Sequence, residues 1–238
     1  AIGWRFTFLF IIIVSVIAGV LMMVYLPSTS ELNQVQRQWG STSNKQLNTS
    51  KILRPAEVVK YLTITFLILV ANSVTFVYIN PLILNNGHQM GFVSLALLVN
   101  GIAGVIGTSL GGILADKLSS KRWLIIAFSI FIVMMLIMNL ILHTVTLLLI
   151  GLFIWNIVQW STNPAIQSGM IEHVEGDTSQ VMSWNMSSLN AGIGFGGIIG
   201  GLVVSNISVQ AVTIVSAMVG AMGLIIVLSL KNMSYMRN

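Results

Sequence analysis

Asn156, Gln159, Trp160 and Asn163 stand at i, i+3, i+4 and i+7, spacings that put all four on one face of a helix. Amides and an indole do no acid or base chemistry, but they hydrogen-bond and stack against a neutral ring or sugar. Amides inside an apolar segment are costly unless they meet each other, another helix or water. The face therefore reads either as one wall of a ligand cavity or as an interhelical hydrogen-bond cluster, with Pro164 expected to kink the helix just beyond. Weaker candidates are Asn72 with Phe76 at i and i+4, and Trp184 with Ser188. Asn139, near a span end, reads as structural.

Two enzyme-like patterns fail on their surroundings. Gly107-Thr108-Ser109-Leu110-Gly111 matches a hydrolase nucleophile pattern, which needs a base within reach of the serine. The histidines are His88, His143 and His173, all at span ends or in connections. Asn100, Gly104, Gly107 and Gly111 share a helical face, so packing explains them better. Gly192-Ile193-Gly194-Phe195-Gly196-Gly197 satisfies a dinucleotide fingerprint that requires a preceding strand and an aqueous helix start. Here it sits in an apolar run, and Gly192, Gly196 and Gly200 recur at helical spacing, as close-packed membrane helices use them. The expectation is no catalytic residue and no metal site; with no cysteine, a disulfide framework is also excluded.

The elements that carry these residues follow from composition. Of 238 residues 55% are hydrophobic and 7% charged, with a mean hydropathy of +0.91; soluble domains carry roughly 25% charge. The lipid bilayer is the expected solvent. The net charge of +5 leaves too few charges for a nucleic-acid face, so no nucleic-acid partner is expected. Crossing a bilayer takes about 20 apolar residues, and seven segments qualify: 6–26, 58–80, 90–114, 122–142, 144–168, 179–204 and 208–230. Helices fit them better than barrel strands, which alternate in polarity. Pro55 and Glu57 suit the opening of the second span, Asn80-Pro81 its close, and Asp177 or Thr178 the cap of the sixth.

Basic residues then orient the chain. Arg37, Lys45, Lys51, Arg54, Lys60, Lys117, Lys121, Arg122, Lys231 and Arg237 flank alternate connections, and Arg5 is the exception. The positive-inside rule makes that side, and the carboxy terminus, cytoplasmic. Residues 27–56, rich in Ser, Thr, Asn and Gln, read as a flexible linker. No Asp, Glu, Lys or Arg falls mid-span between Tyr61 and Leu230. A buried proton relay normally needs such a group.

Three stretches resemble the major facilitator superfamily, within it the drug and sugar efflux branch of proton antiporters. Gly3-Trp4-Arg5-Phe6 with Phe8 resembles the entry to the family's sixth helix, and the linker its long central connection. Gly112-Ile113-Leu114-Ala115-Asp116-Lys117, continuing to Lys121 and Leu124, resembles its loop motif, departing at Ser119 and Ser120, where glycine and arginine are usual. Asn190-Ala191-Gly192 to Gly200-Gly201 resembles its glycine-rich eleventh helix.

The resemblance implies an all-α membrane protein of seven transmembrane helices, family helices six to twelve. Residues 1–26 would be the last helix of the amino-terminal bundle, 27–56 the cytoplasmic linker, and 57–238 the carboxy-terminal six-helix bundle. The expectation is a carboxy-terminal portion whose partner is the missing amino-terminal half, monomeric when intact, in the inner (plasma) membrane. It implies alternating-access export of a small neutral or amphipathic drug or sugar. No cofactor is expected; the proton is the implied coupling ion, titrating in the missing half. Gly112, Asp116, Lys117 and Lys121 would form a gating loop, against the plainer reading of Asp116 as a solvated helix-end charge. Uptake permease, passive facilitator and, more remotely, seven-span receptor are the alternatives.

Overall fold

The computed structural model describes residues 12–17, 19–21 and 51–231. The Gly3 to Phe8 stretch, linker residues 27–50 with Arg37 and Lys45, and Arg237 lie outside the described residues. The chain divides into two compact units, 1–48 and 49–238. In the first, Ile12–Leu21 is an apolar helix.

The second unit is built from helices. They are α1 (Pro55–Phe76), the short α2 (Ile79–Leu84), α3 (Met90–Leu118), α4 (Ser120–Ile141), α5 (Val145–Ile171), α6 (Ser179–Asn206) and α7 (Ala211–Leu228). All but α2 are long and apolar enough to cross a membrane, so the protein is an all-α integral membrane protein. Two-residue strands β1 (Lys51–Ile52) and β2 (Val174–Glu175) pair antiparallel, Lys51 opposite Glu175.

The boundaries follow local chemistry. Pro55 occupies the first turn of α1, where its missing N–H breaks no bond. The expected stop at Asn80-Pro81 is instead the first turn of α2, which tolerates proline for the same reason. Thr178 makes no side-chain cap; Asp177 does that work, accepting from the Ser179 N–H at 2.9 Å and its hydroxyl at 2.6 Å. These bonds hold the Asp177 carboxyl below its usual range. α5 continues through Pro164. Just before it, the Ser161 and Thr162 hydroxyls donate to the carbonyls of Val158 and Gln159, each at 2.7 Å.

Lipid is as apolar as leucine, so helices in a membrane associate through close packing and polar contacts rather than hydrophobic burial. Both are present. α3 packs on α5 and α1 on α6, while α4 contacts α5 and α7, and α7 also contacts α1. Exchanging α1, α3, α4 for α5, α6, α7 leaves this contact set unchanged, a pseudo-two-fold relation between two three-helix repeats. Glycines form both major seams: a Cβ on Gly192, Gly196 or Gly200 would lie 2.6–2.8 Å from atoms of Phe66, Leu69, Ser73, Val70, Val74 or Tyr78. Gly104, Gly107 and Gly111 of α3 likewise meet Trp160, Ile157, Ser161 and Pro164 of α5. The packing expected of both glycine patterns is what the helices do.

Side-chain hydrogen bonds join α1 to α7, α1 to α6 and α4 to α7. The Thr75 hydroxyl lies 2.6 Å from that of Ser216, the Thr65 hydroxyl donates to Asn185 Oδ1 at 2.7 Å, and Asn139 Nδ2 donates to Thr213 Oγ1 at 3.0 Å. Asn139 is thus structural, as expected. Each such bond contributes about 0.6 kcal/mol.

Between α3 and α4 the chain turns on one residue, Ser119, at φ 78° and ψ 147°. Only glycine adopts that region without strain. Ser119→Gly is therefore expected to stabilise the protein by about 1 kcal/mol. In detergent, the thermal midpoint of the full-length protein, about twice this chain's length, should rise by about 1 °C.

Candidate functional site

α1, α5 and α6 enclose a cavity of about 410 Å³, within the roughly 300–1,000 Å³ of small-molecule sites. α1 contributes Thr65, Leu69, Asn72, Ser73, Phe76 and Val77. Gln159, Trp160, Thr162, Asn163 and Ile166 come from α5, and Leu189 and Ile193 from α6. No charged side chain lines it. The wall is mainly apolar, with amides from two facing helices.

Five residues singled out by spacing converge here: Asn72, Phe76, Gln159, Trp160 and Asn163. Trp160 is 44% exposed, and its indole covers Gly104, whose added Cβ would meet Nε1 at 3.3 Å. The missing side chain of Gly104 is what lets the ring lie there. Gln159 is 7% exposed, and both its Oε1 and the Oδ1 of Asn72 are buried without a hydrogen bond. Asn163 Oδ1 accepts from Gln167 Nε2 at 3.1 Å. Amides left incompletely bonded beside a cavity carry a desolvation cost that a polar ligand can offset.

Asn156, Trp184 and Ser188 lie elsewhere. Asn156, 3% exposed, donates to the Leu152 carbonyl at 2.7 Å and borders a gap of about 10 Å³, room for one water at most. Phe76 borders both spaces and meets Trp155 edge-on at 6.4 Å, which makes it the partition between them. Trp184 is 41% exposed, and Ser188 lines an outward groove with Phe66 and Ser187. Sequence reasoning missed Thr65 and Leu69, yet Thr65, Leu69, Asn72 and Phe76 continue one stripe at i, i+4, i+7 and i+11. Extending the Asn72 and Phe76 pair backwards would have found them.

The loop motif divides. Asp116 and Lys117 border an open recess of about 470 Å³ with Ser119, Arg122, Ser168 and Glu172, where burial raises the Glu172 carboxyl above its usual range. Lys121 points the other way, its ammonium donating to the carbonyls of Leu228, at 3.0 Å, and Leu230 at the end of α7. Lys60 does the same to Ser229 at 2.9 Å while pairing with Glu57 at 2.9 Å. These cations cap the carbonyls that a helix end leaves unbonded. Gly112 has open space where a Cβ would be.

A bundle of apolar helices in two related repeats, around an uncharged cavity, defines a polytopic helical membrane protein. The family model of the Major Facilitator Superfamily matches residues 1–179, and the chain belongs to that superfamily. It is 30% identical over 228 residues to the uncharacterized MFS-type transporter YbcL of Bacillus subtilis (strain 168), covering 95% of this chain and 55% of YbcL. YtbD of the same organism, likewise an uncharacterized MFS-type transporter, is 28% identical over 218 residues, 86% of this chain and 51% of YtbD. A probable sugar efflux transporter of Haemophilus influenzae (strain PittGG) is 24% identical over 225 residues, 94% of this chain and 54% of that protein. The chain spans about half the length of these relatives.

Proposed function

We propose that the intact protein is a secondary active transporter exporting a small neutral or amphipathic compound, drug or sugar, by alternating access. The observation that carries this reading is the cavity: Asn72, Gln159 and Asn163 supply hydrogen bonds, Trp160 and Phe76 supply ring surfaces, and no charge is present to hold an ion. Substrate sites near the bilayer midplane, between repeats, suit this mechanism. The names of the relatives, MFS-type and sugar efflux transporters, support the same class. On this reading the linker and carboxy terminus are cytoplasmic, the amino-terminal half closes the open side of the cavity, and the protein is an inner-membrane monomer without a cofactor.

Coupling to protons then depends on an acid in the amino-terminal half. The uncharged wall equally suits a passive facilitator or uptake permease. The full-length protein reconstituted in vesicles separates these. With an imposed proton gradient, the export reading expects a candidate drug or sugar to accumulate against its concentration. A facilitator equilibrates the compound without regard to the gradient, and no movement of any candidate overturns transport. Ser109→Ala is expected to change nothing.

A further inference from the structure

The end of the linker is fastened to the connection between α5 and α6 at one buried histidine. β1 pairs with β2, and between that ladder and α1 the Leu53 N–H donates to the His173 carbonyl at 2.9 Å. The imidazole is 1% exposed, its ring centroid lies 5.9 Å from that of Tyr61, and its Nδ1 is buried with no hydrogen-bond partner. Tyr61 in turn fills the space beside Gly169 on α5. α1 and α5 form the two amide-bearing walls of the cavity yet touch each other sparingly, so this clasp is a principal tie between their cytoplasmic-side ends.

We propose that His173 is a proton-responsive latch: neutral, it holds the linker and the start of α1 to the end of α5; protonated, it releases them. The imidazolium carries an N–H on both ring nitrogens, so its Nδ1 N–H would be sealed from water with no acceptor, and a buried charge with an unsatisfied donor is strongly unfavourable. The charges around it do not rescue it. From α1, Glu57 attracts a proton to the ring, but Glu57 already accepts from the Lys60 ammonium and the Lys231 N–H, and Arg54 repels one. Lys51 and Glu175 face each other across the ladder at the surface. Burial dominates and holds the imidazole below its usual value, with Glu57 opposing and Arg54 adding to it.

The pH window follows. Above about 6.5 the histidine is neutral whether the clasp is open or closed. Below that the open form binds the proton more readily, so acid opens the clasp by up to about tenfold per pH unit, until the closed form also titrates. Neighbouring Glu172 has the opposite sign: burial raises its carboxyl, so acid relieves a cost in the closed form. A Glu172→Gln background removes that opposing contribution.

Spin labels at Lys51→Cys and Glu175→Cys in the full-length protein, with cysteines elsewhere replaced, read the clasp directly. At pH 7.5 a single short distance is expected, and at pH 5.0 a second, longer population that grows as pH falls. His173→Gln and His173→Phe, which cannot be protonated, are both expected to lose that pH dependence. Identical distances at the two pH values in the otherwise wild-type protein overturn the proposal, as does a pH response that persists in both variants. Neither result depends on what the protein transports.

Discussion

Gly111→Ala is expected to destabilise the protein by about 2–3 kcal/mol, although alanine is the better helix former by about 1 kcal/mol. A Cβ at Gly111 would lie 2.6 Å from Ser161 Cα and 2.8 Å from Pro164 Cγ. A backbone and a proline ring cannot rotate aside as a flexible side chain would. Gly101, ten residues earlier in the same helix, has nothing within 4 Å of its would-be Cβ. There alanine is expected to leave stability unchanged or raise it by up to about 1 kcal/mol. Thermal denaturation of the full-length protein, followed by recovery of monodisperse material, compares the two. Equal effects in the same direction would mean that the α3 and α5 backbones do not approach as closely as described.

Trp160→Ala should weaken ligand binding about tenfold or more, because it removes a ring surface of the cavity together with its stacking energy. Asn156→Ala should leave affinity unchanged, since Asn156 faces the gap beyond Phe76 and bonds to its own helix. The two residues share a helical face by spacing alone, so the pair tests the cavity against the spacing. Equilibrium binding of the compound identified in vesicles gives the comparison. Loss of affinity in Asn156→Ala with none in Trp160→Ala would move the site to the other side of Phe76.

The spans were legible because a bilayer demands a long apolar run, and some ends carried a marker, as Pro55 and Glu57 do at the start of α1 and Asp177 before α6. Element ends were less so: Pro81 reads as a stop, yet it serves equally in a first turn. Helical spacing grouped Gln159, Trp160 and Asn163, which line one cavity. It could not tell that Phe76 closes the cavity before Asn156, because that depends on how far one helix slides along another. Trp184 shows the same limit in a second way. Periodicity says which residues share a face, but not which face is turned inward. Glu57 read as a helix-start acid, Lys60 as a flanking charge and Lys121 as part of a gating loop, and their grip on the end of α7 depends on residues more than 100 positions away. The strained turn at Ser119 was visible only as a departure from glycine in the family pattern.

The glycine seams also bear on which deformations come cheaply. Where long side chains interlock, sliding one helix past another requires each to climb out of its recess, and the interface has high friction. Gly192, Gly196 and Gly200 meet backbone atoms of α1, and Gly107 and Gly111 those of α5, beside the Cβ atoms of Leu69 and Ser73 and the rings of Tyr78 and Pro164. Both cavity walls therefore rest on shallow seams. Shear along the helix axes is the compliant direction of this bundle, while prying α1 from α7 or α4 from α7 means breaking the Thr75 to Ser216 and Asn139 to Thr213 bonds.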